Sequence, residues 1–247
     1  MTLAEFFKAN PKIAVAFSGG TDSAYLLYEA KRAGADVKAY CVQSEFQPKF
    51  EREDAEKMAG DLGIEMKIIP LSVLGDEVIT VNPPDRCYYC KLKIMSEIRA
   101  AAKADGYEVL ADGTNASDDA SDRPGTKALS ELGITSPLRD AGITKDMVRE
   151  ASKEAGLATW DKPSYACLAT RVATGEKITG AKLRGTEKAE TILHDMGFSD
   201  LRVRWRGSDG LVQLPEDQLD EGFAREDEIR TALGRIYDYV EIDEKGR

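Results

Sequence analysis

The sequence predicts an α/β fold, a parallel sheet with helices on both faces, followed by a smaller α+β domain. Three observations carry that prediction. Short apolar, strand-forming runs alternate with helical patterns through the first 160 residues, which is how parallel strands joined by crossover helices are written. The first run, Lys12 to Phe17, opens into a Ser-Gly-Gly turn with a helical pattern straight after it. Beyond residue 160 the order changes to helix, strand, strand, helix, strand, which suits a small α+β unit. The expected domains are residues 1–160 and 161–247.

In the first unit of pattern, Ser18-Gly19-Gly20-Thr21-Asp22-Ser23 joins strand to helix. That geometry offers backbone N–H groups and a helix N-terminus to a phosphate. Gly19 and Gly20 are expected at positive φ and allow a ligand close to the backbone. Ser18 and Ser23 add hydroxyl donors, and Asp22 can hold Mg²⁺ beside the anion. The stretch is neither a Walker A loop nor a dinucleotide fingerprint, since it lacks both spacings. Its helix uses Ala24, Leu26, Leu27 and Ala30 and stops at Gly34. A second strand follows at Val37 to Val42, with Cys41 inside it as a small buried hydrophobe. A helix carrying Ala55, Met58, Ala59 and Leu62 ends at Gly63, and Glu65 to Leu71 is the third strand. In such sheets ligands bind beyond the carboxyl ends of the strands, where the Ser-Gly-Gly turn lies.

Pro83 and Pro84 then end one segment, and a helix runs through Leu92, Met95, Ile98 and Ala102 to Gly106. Cys87 and Cys90 stand at or near its first turn. Spaced by three, they share a face and can reach one metal or cluster; a redox dithiol or plain packing satisfies the same spacing. Tyr107 to Ala111 is the fourth strand and delivers Asp112-Gly113-Thr114-Asn115 to the same sheet edge. Asp118, Asp119 and Asp122 fall in a polar loop and read first as solvated. After a turn at Ser136-Pro137, a helix N-capped by Thr144 runs to Ala155. Residues 160–171 have no periodicity and place Cys167, Thr170 and Arg171 in a loop, where Lys162 and Arg171 would favour a reactive thiol. A helix spans 181–196, and Leu201 to Arg206 alternates strictly, so Arg202, Arg204 and Arg206 share one strand face. Such a face is either solvated or built for a multiply charged anion. Gly207 to Gly210 forms a hairpin turn, a helix bears Leu219, Phe223, Ile229 and Leu233, and the last strand is Tyr237 to Ile242. His194, the single histidine, reads as an ordinary helix residue, which weakens histidine-based triads or metal sites.

The formal net charge is −10 and the pI near 4.9, which argues against a broad nucleic-acid surface. No apolar run approaches the ~20 residues that span a bilayer, and the acidic first residues do not suit a signal peptide. A cytoplasmic protein with no membrane partner is expected. In that setting its four cysteines are free, metal-bound or catalytic rather than disulfide-paired.

Ser18 to Ser23 resembles the PP-loop of the ATP pyrophosphatases, whose adenine nucleotide α-hydrolase-like domain splits ATP into AMP and pyrophosphate. Further motifs are Asp112-Gly113-Thr114-Asn115, Arg123-Pro124-Gly125, Ser136-Pro137-Leu138-Arg139, and Trp160-Asp161-Lys162-Pro163-Ser164 leading to Ala166-Cys167-Leu168 and Arg171. With these, nearly the whole chain resembles the LarE family of ATP-dependent sulfur transferases. The resemblance implies that a carboxylate of a pyridinium dicarboxylate mononucleotide is adenylated and then converted to a thiocarboxylate in the synthesis of a nickel-pincer nucleotide, the cofactor of lactate racemase. It implies nucleotide binding by Ser18, Gly19, Gly20, Asp22, Ser23, Thr114 and Asn115, with Mg²⁺ at Asp22. Arg171, Arg202 and Arg204 would grip the substrate's phosphate and carboxylates, Arg206 less so. Some members sacrifice the sulfur of the cysteine matching Cys167. Others bind a 4Fe–4S cluster through three cysteines matching Cys87, Cys90 and Cys167, leaving one iron open for an extra sulfide. All three are present here, so the cluster version is favoured. A homo-oligomer, a hexamer, is also implied. Val172-Ala173-Thr174-Gly175 departs from the family, where an aromatic before the glycine is common. Rival readings are a tRNA thiolase of the same superfamily, an amide-forming ligase, and a nucleotide-sensing module without turnover.

Overall fold

A computed structural model describes residues 1–118 and 124–247. Asp119, Asp122 and Arg123 therefore lie outside the described residues. In chain order the elements are α1 (Leu3–Ala9), β1 (Lys12–Ala16), α2 (Thr21–Arg32), β2 (Asp36–Gln43), α3 (Lys49–Asp61), β3 (Met66–Pro70), α4 (Glu77–Thr80), α5 (Arg86–Ala104), β4 (Leu110–Ala111), α6 (Pro124–Glu131), α7 (Pro137–Asp140) and α8 (Lys145–Glu154). A 3-10 turn (Leu168–Arg171) follows, then α9 (Gly180–Asp195), β5 (Arg202–Arg206), β6 (Asp209–Gln213), α10 (Leu219–Ala224), α11 (Glu226–Leu233) and β7 (Val240–Ile242). No helix among the described residues is long and apolar enough to cross a membrane.

The chain divides into two compact units, 1–72 with 85–164, and 73–84 with 165–247. In the first, four parallel strands pair in the order β3-β2-β1-β4. Alternation along β1 decides which side chain faces which helical layer. Ile13 and Val15 enter one core with Leu26, Leu27 and Met58, whereas Ala14 and Ala16 enter the other with Tyr40, Met95 and Ile98. The sheet is thus covered on both faces, as parallel sheets require. Strand order reverses at β1, with β2 on one side and β4 on the other, and this switch point opens a crevice at the carboxyl ends. Both β1 and β4 deliver their loops there. β4 is only two residues long, shorter than the expected Tyr107 to Ala111; the Tyr107 N–H closes the end of α5, donating to the Ala102 carbonyl at 2.9 Å.

The second unit is a three-stranded sheet, β5-β6-β7, with β5 and β6 antiparallel and β6 and β7 parallel. Leu193, Leu201, Val203, Val212, Ile229 and Leu233 form its core. Residues 73–84 belong to it through backbone bonds. Buried Asn82 donates its side-chain amide to the carbonyls of Val172 (3.2 Å) and Ala173 (2.7 Å), and the Ile178 N–H donates to Thr80.

Candidate functional site

The loop after β1 turns sharply at Gly19, whose φ is +75°. A Cβ there would also come within 2.9 Å of the Ala55 Cβ, so both conformation and space demand glycine. Gly20 differs from expectation. Its φ is −85°, an extended conformation open to any residue, and it serves as the N-cap of α2. The expected positive φ is therefore needed at one glycine rather than two. Ser18 and Ser23 hydroxyls stand 3.2 Å apart, and Ser23 Oγ also donates to the Gly20 carbonyl at 3.2 Å.

A cavity of about 270 Å³ opens beside this loop, walled by Ser18, Gly20, Asp22 and Ser23, by Asp112, Gly113 and Thr114 after β4, and by Lys91 and Met95 of α5. Gly113 lets β4 approach the start of α2, since a Cβ on it would lie 2.8 Å from the Ser23 backbone nitrogen. Asp112 is buried and organises its own strand end, accepting from Ser136 Oγ at 2.7 Å and Thr114 Oγ1 at 2.5 Å. Asn115 is also buried and holds Asp22 instead of lining the cavity, its Nδ2 donating to Asp22 Oδ1 at 3.2 Å. Three carboxylates, Asp22, Asp112 and Asp118, line this one cavity. Carboxylate oxygen is the donor type that Mg²⁺ takes, but these three are not grouped to hold an ion by themselves.

Two lysines carry contacts that the sequence did not reveal. Lys145 Nζ pairs with Asp22 Oδ2 at 2.7 Å from the first turn of α8. A cation at a helix start opposes the dipole, and that misplacement was the signal available. Lys162, expected only as a cation near Cys167, bonds Asp54 Oδ2 at 2.8 Å and approaches the Gly19 carbonyl at 3.4 Å. It also pairs with Glu51, whose carboxyl is pushed up by burial against the opposing pull of Lys162. Thr21 Oγ1 donates to the Thr159 carbonyl at 2.7 Å. The stretch 159–162 is thereby tied to the phosphate loop.

None of the four cysteines is in a disulfide. Cys41 is buried, and burial pushes its thiol up to about 11, so it is an inert core residue. Cys87 and Cys90 occupy the start of α5, the first exposed and the second half-buried, and Arg86 Nη2 lies 3.7 Å from Cys87 Sγ. In the second unit Cys167 is half-buried at the head of the 3-10 turn. Three accessible thiols are the right donor chemistry for an iron–sulfur cluster. Among the described residues, however, no three His, Cys, Asp or Glu side chains are grouped to hold a metal ion.

Around Cys167 the second unit builds a buried ionic knot. Arg171 is 1% exposed. Its Nε donates to Glu190 Oε1 at 2.8 Å, and its Nη1 donates to the Ala166 carbonyl at 2.9 Å and Thr170 Oγ1 at 2.7 Å. Glu190, itself buried on α9, also accepts from the Tyr165 hydroxyl and from the Val203 N–H. The Tyr165 ring lies between two guanidiniums, Arg171 and Arg202, each 4.7 Å from its centre, a cation–π arrangement. Neither Tyr165 nor Glu190 was legible as a site residue in the sequence. Arg204 donates to Gln213 Oε1 and to the Thr170 carbonyl, both at 2.6 Å. Burial, then the neighbouring Arg171 and Arg247, hold Arg202 and Arg204 below the usual arginine range. Arg202 also pairs with Asp200 at 3.7 Å; a cluster of guanidiniums is the donor set that multiply charged anions take. Arg206, at the strand end, is exposed and pairs loosely with Glu241 at 3.6 Å.

A strand, Ser-Gly-Gly turn and helix at the β1–β4 switch point of a parallel sheet, with a small α+β unit beyond it in the chain, define a protein of the PP-loop class. The family model described as queuosine biosynthesis protein QueC matches residues 12–80. An uncharacterized protein of Synechocystis sp. (strain ATCC 27184 / PCC 6803 / Kazusa) is 35% identical over 89% of this chain and 82% of its own length. Pyridinium-3,5-bisthiocarboxylic acid mononucleotide synthase of Lactiplantibacillus plantarum is 32% identical over 98% of this chain and 89% of the relative. An uncharacterized protein of Methanocaldococcus jannaschii is 30% identical over 92% and 86%. The chain belongs to the LarE family and is an enzyme of the sulfurtransferase type.

Proposed function

We propose that the protein uses Mg·ATP to adenylate a carboxylate of a pyridinium dicarboxylate mononucleotide, releases pyrophosphate, and replaces the activated oxygen with sulfur to give a thiocarboxylate. A carboxylate is a poor electrophile because its leaving group is oxide; AMP is a good one. The observation that carries the reading is that one helix, α5, presents thiols at its start and lines the phosphate-loop cavity with its next turns. Ser18, Gly19, Gly20 and Ser23 would cradle the departing pyrophosphate, and Asp22 would help hold the metal. Thr114 lines the same cavity, while Asn115 orients Asp22. Arg202 and Arg204 would bind the substrate's anionic groups. Arg171, assigned to the substrate by the family pattern, is engaged with Glu190 and the backbone at Cys167.

Cys87, Cys90 and Cys167 would hold a 4Fe–4S cluster. Such a cluster with three protein ligands supplies a carrier for exogenous sulfide and spares the protein's own sulfur. In a second reading Cys167, half-buried at the head of the 3-10 turn, surrenders its own sulfur and becomes dehydroalanine. Anaerobic reconstitution with iron and sulfide decides between them, followed by ultraviolet–visible and EPR spectroscopy. A cluster signal lost in Cys167→Ala supports the first; no iron uptake and loss of one sulfur mass per turnover supports the second. Family resemblance further supports a small-molecule partner only and a homo-oligomer, a hexamer, in the cytoplasm. Light scattering coupled to size exclusion tests the assembly.

A further inference from the structure

One cationic side chain in the cavity wall has no part in the reading above. Cys87, Lys91 and Met95 are spaced by four on α5 and form a single stripe along that helix. Lys91 and Met95 line the cavity, and Cys87 stands one turn nearer the helix start, about 6 Å along the axis. The stem of Lys91 lies beside Gly125, its Cδ 3.8 Å from where a Cβ on that glycine would be. Its ammonium ends 4.0 Å from Asp112 Oδ2, beyond hydrogen-bond range, so this loose pair leaves its donors to another acceptor. Among the described wall residues there are three carboxylates, and Lys91 is the one cation. A nucleotide phosphate entering so acidic a cavity needs a fixed positive charge besides its metal.

We infer that Lys91 binds the α-phosphoryl group of the nucleotide and is a catalytic residue for adenylation; the inference rests on the adenylating reading above. In that step a substrate carboxylate oxygen bonds to the α-phosphorus. The bond from that phosphorus to the bridging oxygen breaks, and its electron pair leaves with pyrophosphate. No proton moves, and Lys91 stays an ammonium throughout. Its charge stabilises the oxygens of the α-phosphoryl group as they pass through the transition state.

Calorimetric titration of the full chain with AMP and, separately, with adenosine tests this, using wild type, Lys91→Met and Lys91→Arg. Wild type should prefer AMP. Lys91→Met should bind AMP about 10-fold more weakly, the worth of one charge-assisted hydrogen bond, with adenosine affinity unchanged, and Lys91→Arg should retain most of the preference. Pyrophosphate release should fall with AMP affinity. Unchanged AMP affinity in Lys91→Met, or equal losses for AMP and adenosine, overturns the assignment while leaving the nucleotide reading intact. Wild type that binds neither AMP nor Mg·ATP overturns both.

Discussion

At the scale of single residues, burial and contact distance give chemically identical groups different behaviour. The four cysteines illustrate this. Cys41 is buried with its thiol raised to about 11, while Cys87, Cys90 and Cys167 reach solvent. Since the thiolate is the reactive species, native protein at pH 8 should react rapidly with Ellman's reagent at three thiols, and at the fourth only after unfolding. Gly113 is a second case, because a side chain there meets backbone atoms of Ser23 that cannot swing aside. Gly113→Ala should cost about 1–3 kcal/mol of stability and weaken AMP binding, read by denaturant titration and calorimetry. Asp105 is a third. Bonds from Lys67 (2.9 Å) and the Tyr40 hydroxyl (3.0 Å) hold its carboxyl down to about 2. A depressed carboxylate contributes stability above its ordinary value of 3.8 and loses it as pH falls towards 2. The difference in thermal midpoint between wild type and Asp105→Asn should therefore be constant above about pH 5, shrink as pH falls towards 2 and vanish only below that.

Among the elements, α9 does more than its apolar stripe announces. Periodicity located the helix, with Leu183 and Leu193 buried as expected, but it could not show that Glu190 faces inward to hold Arg171, Tyr165 and the Val203 N–H. Glu190→Ala leaves the Arg171 guanidinium buried without its partner, a loss of about 3–5 kcal/mol. It should also loosen the backbone at Cys167 and raise that thiol's alkylation rate, which peptide mass mapping measures. The phosphate loop, by contrast, was legible: strand, Ser-Gly-Gly, helix is a local geometry written in adjacent residues. What stayed hidden is long-range. Asn115 on Asp22, Lys145 on Asp22 and Lys162 on Asp54 are separated by 93, 123 and 108 positions, and no periodicity encodes such pairs. β4 was drawn too long for a local reason, because the Tyr107 N–H closes α5 on the Ala102 carbonyl instead of entering the sheet.

For the whole molecule, alternation of strand and helix gave the parallel sheet, and the change of pattern after residue 160 gave the small α+β sheet; the strand order that makes β1 the switch point came only with the structure. The insertion of 73–84 into the second unit was not legible, because it depends on Asn82 bonding residues 90 and 91 positions later. The proposed function rests on one coupling: the cavity proposed to receive a nucleotide shares helix α5 with two of the thiols. The most direct test is an anaerobic turnover assay with Mg·ATP, a pyridinium dicarboxylate mononucleotide and sulfide on iron-reconstituted protein, following pyrophosphate and product mass together. The account predicts pyrophosphate released only when the carboxylate substrate is present, and a product in which sulfur has replaced one carboxylate oxygen. Pyrophosphate released equally without that substrate, or a substrate recovered with both oxygens in place, would contradict it.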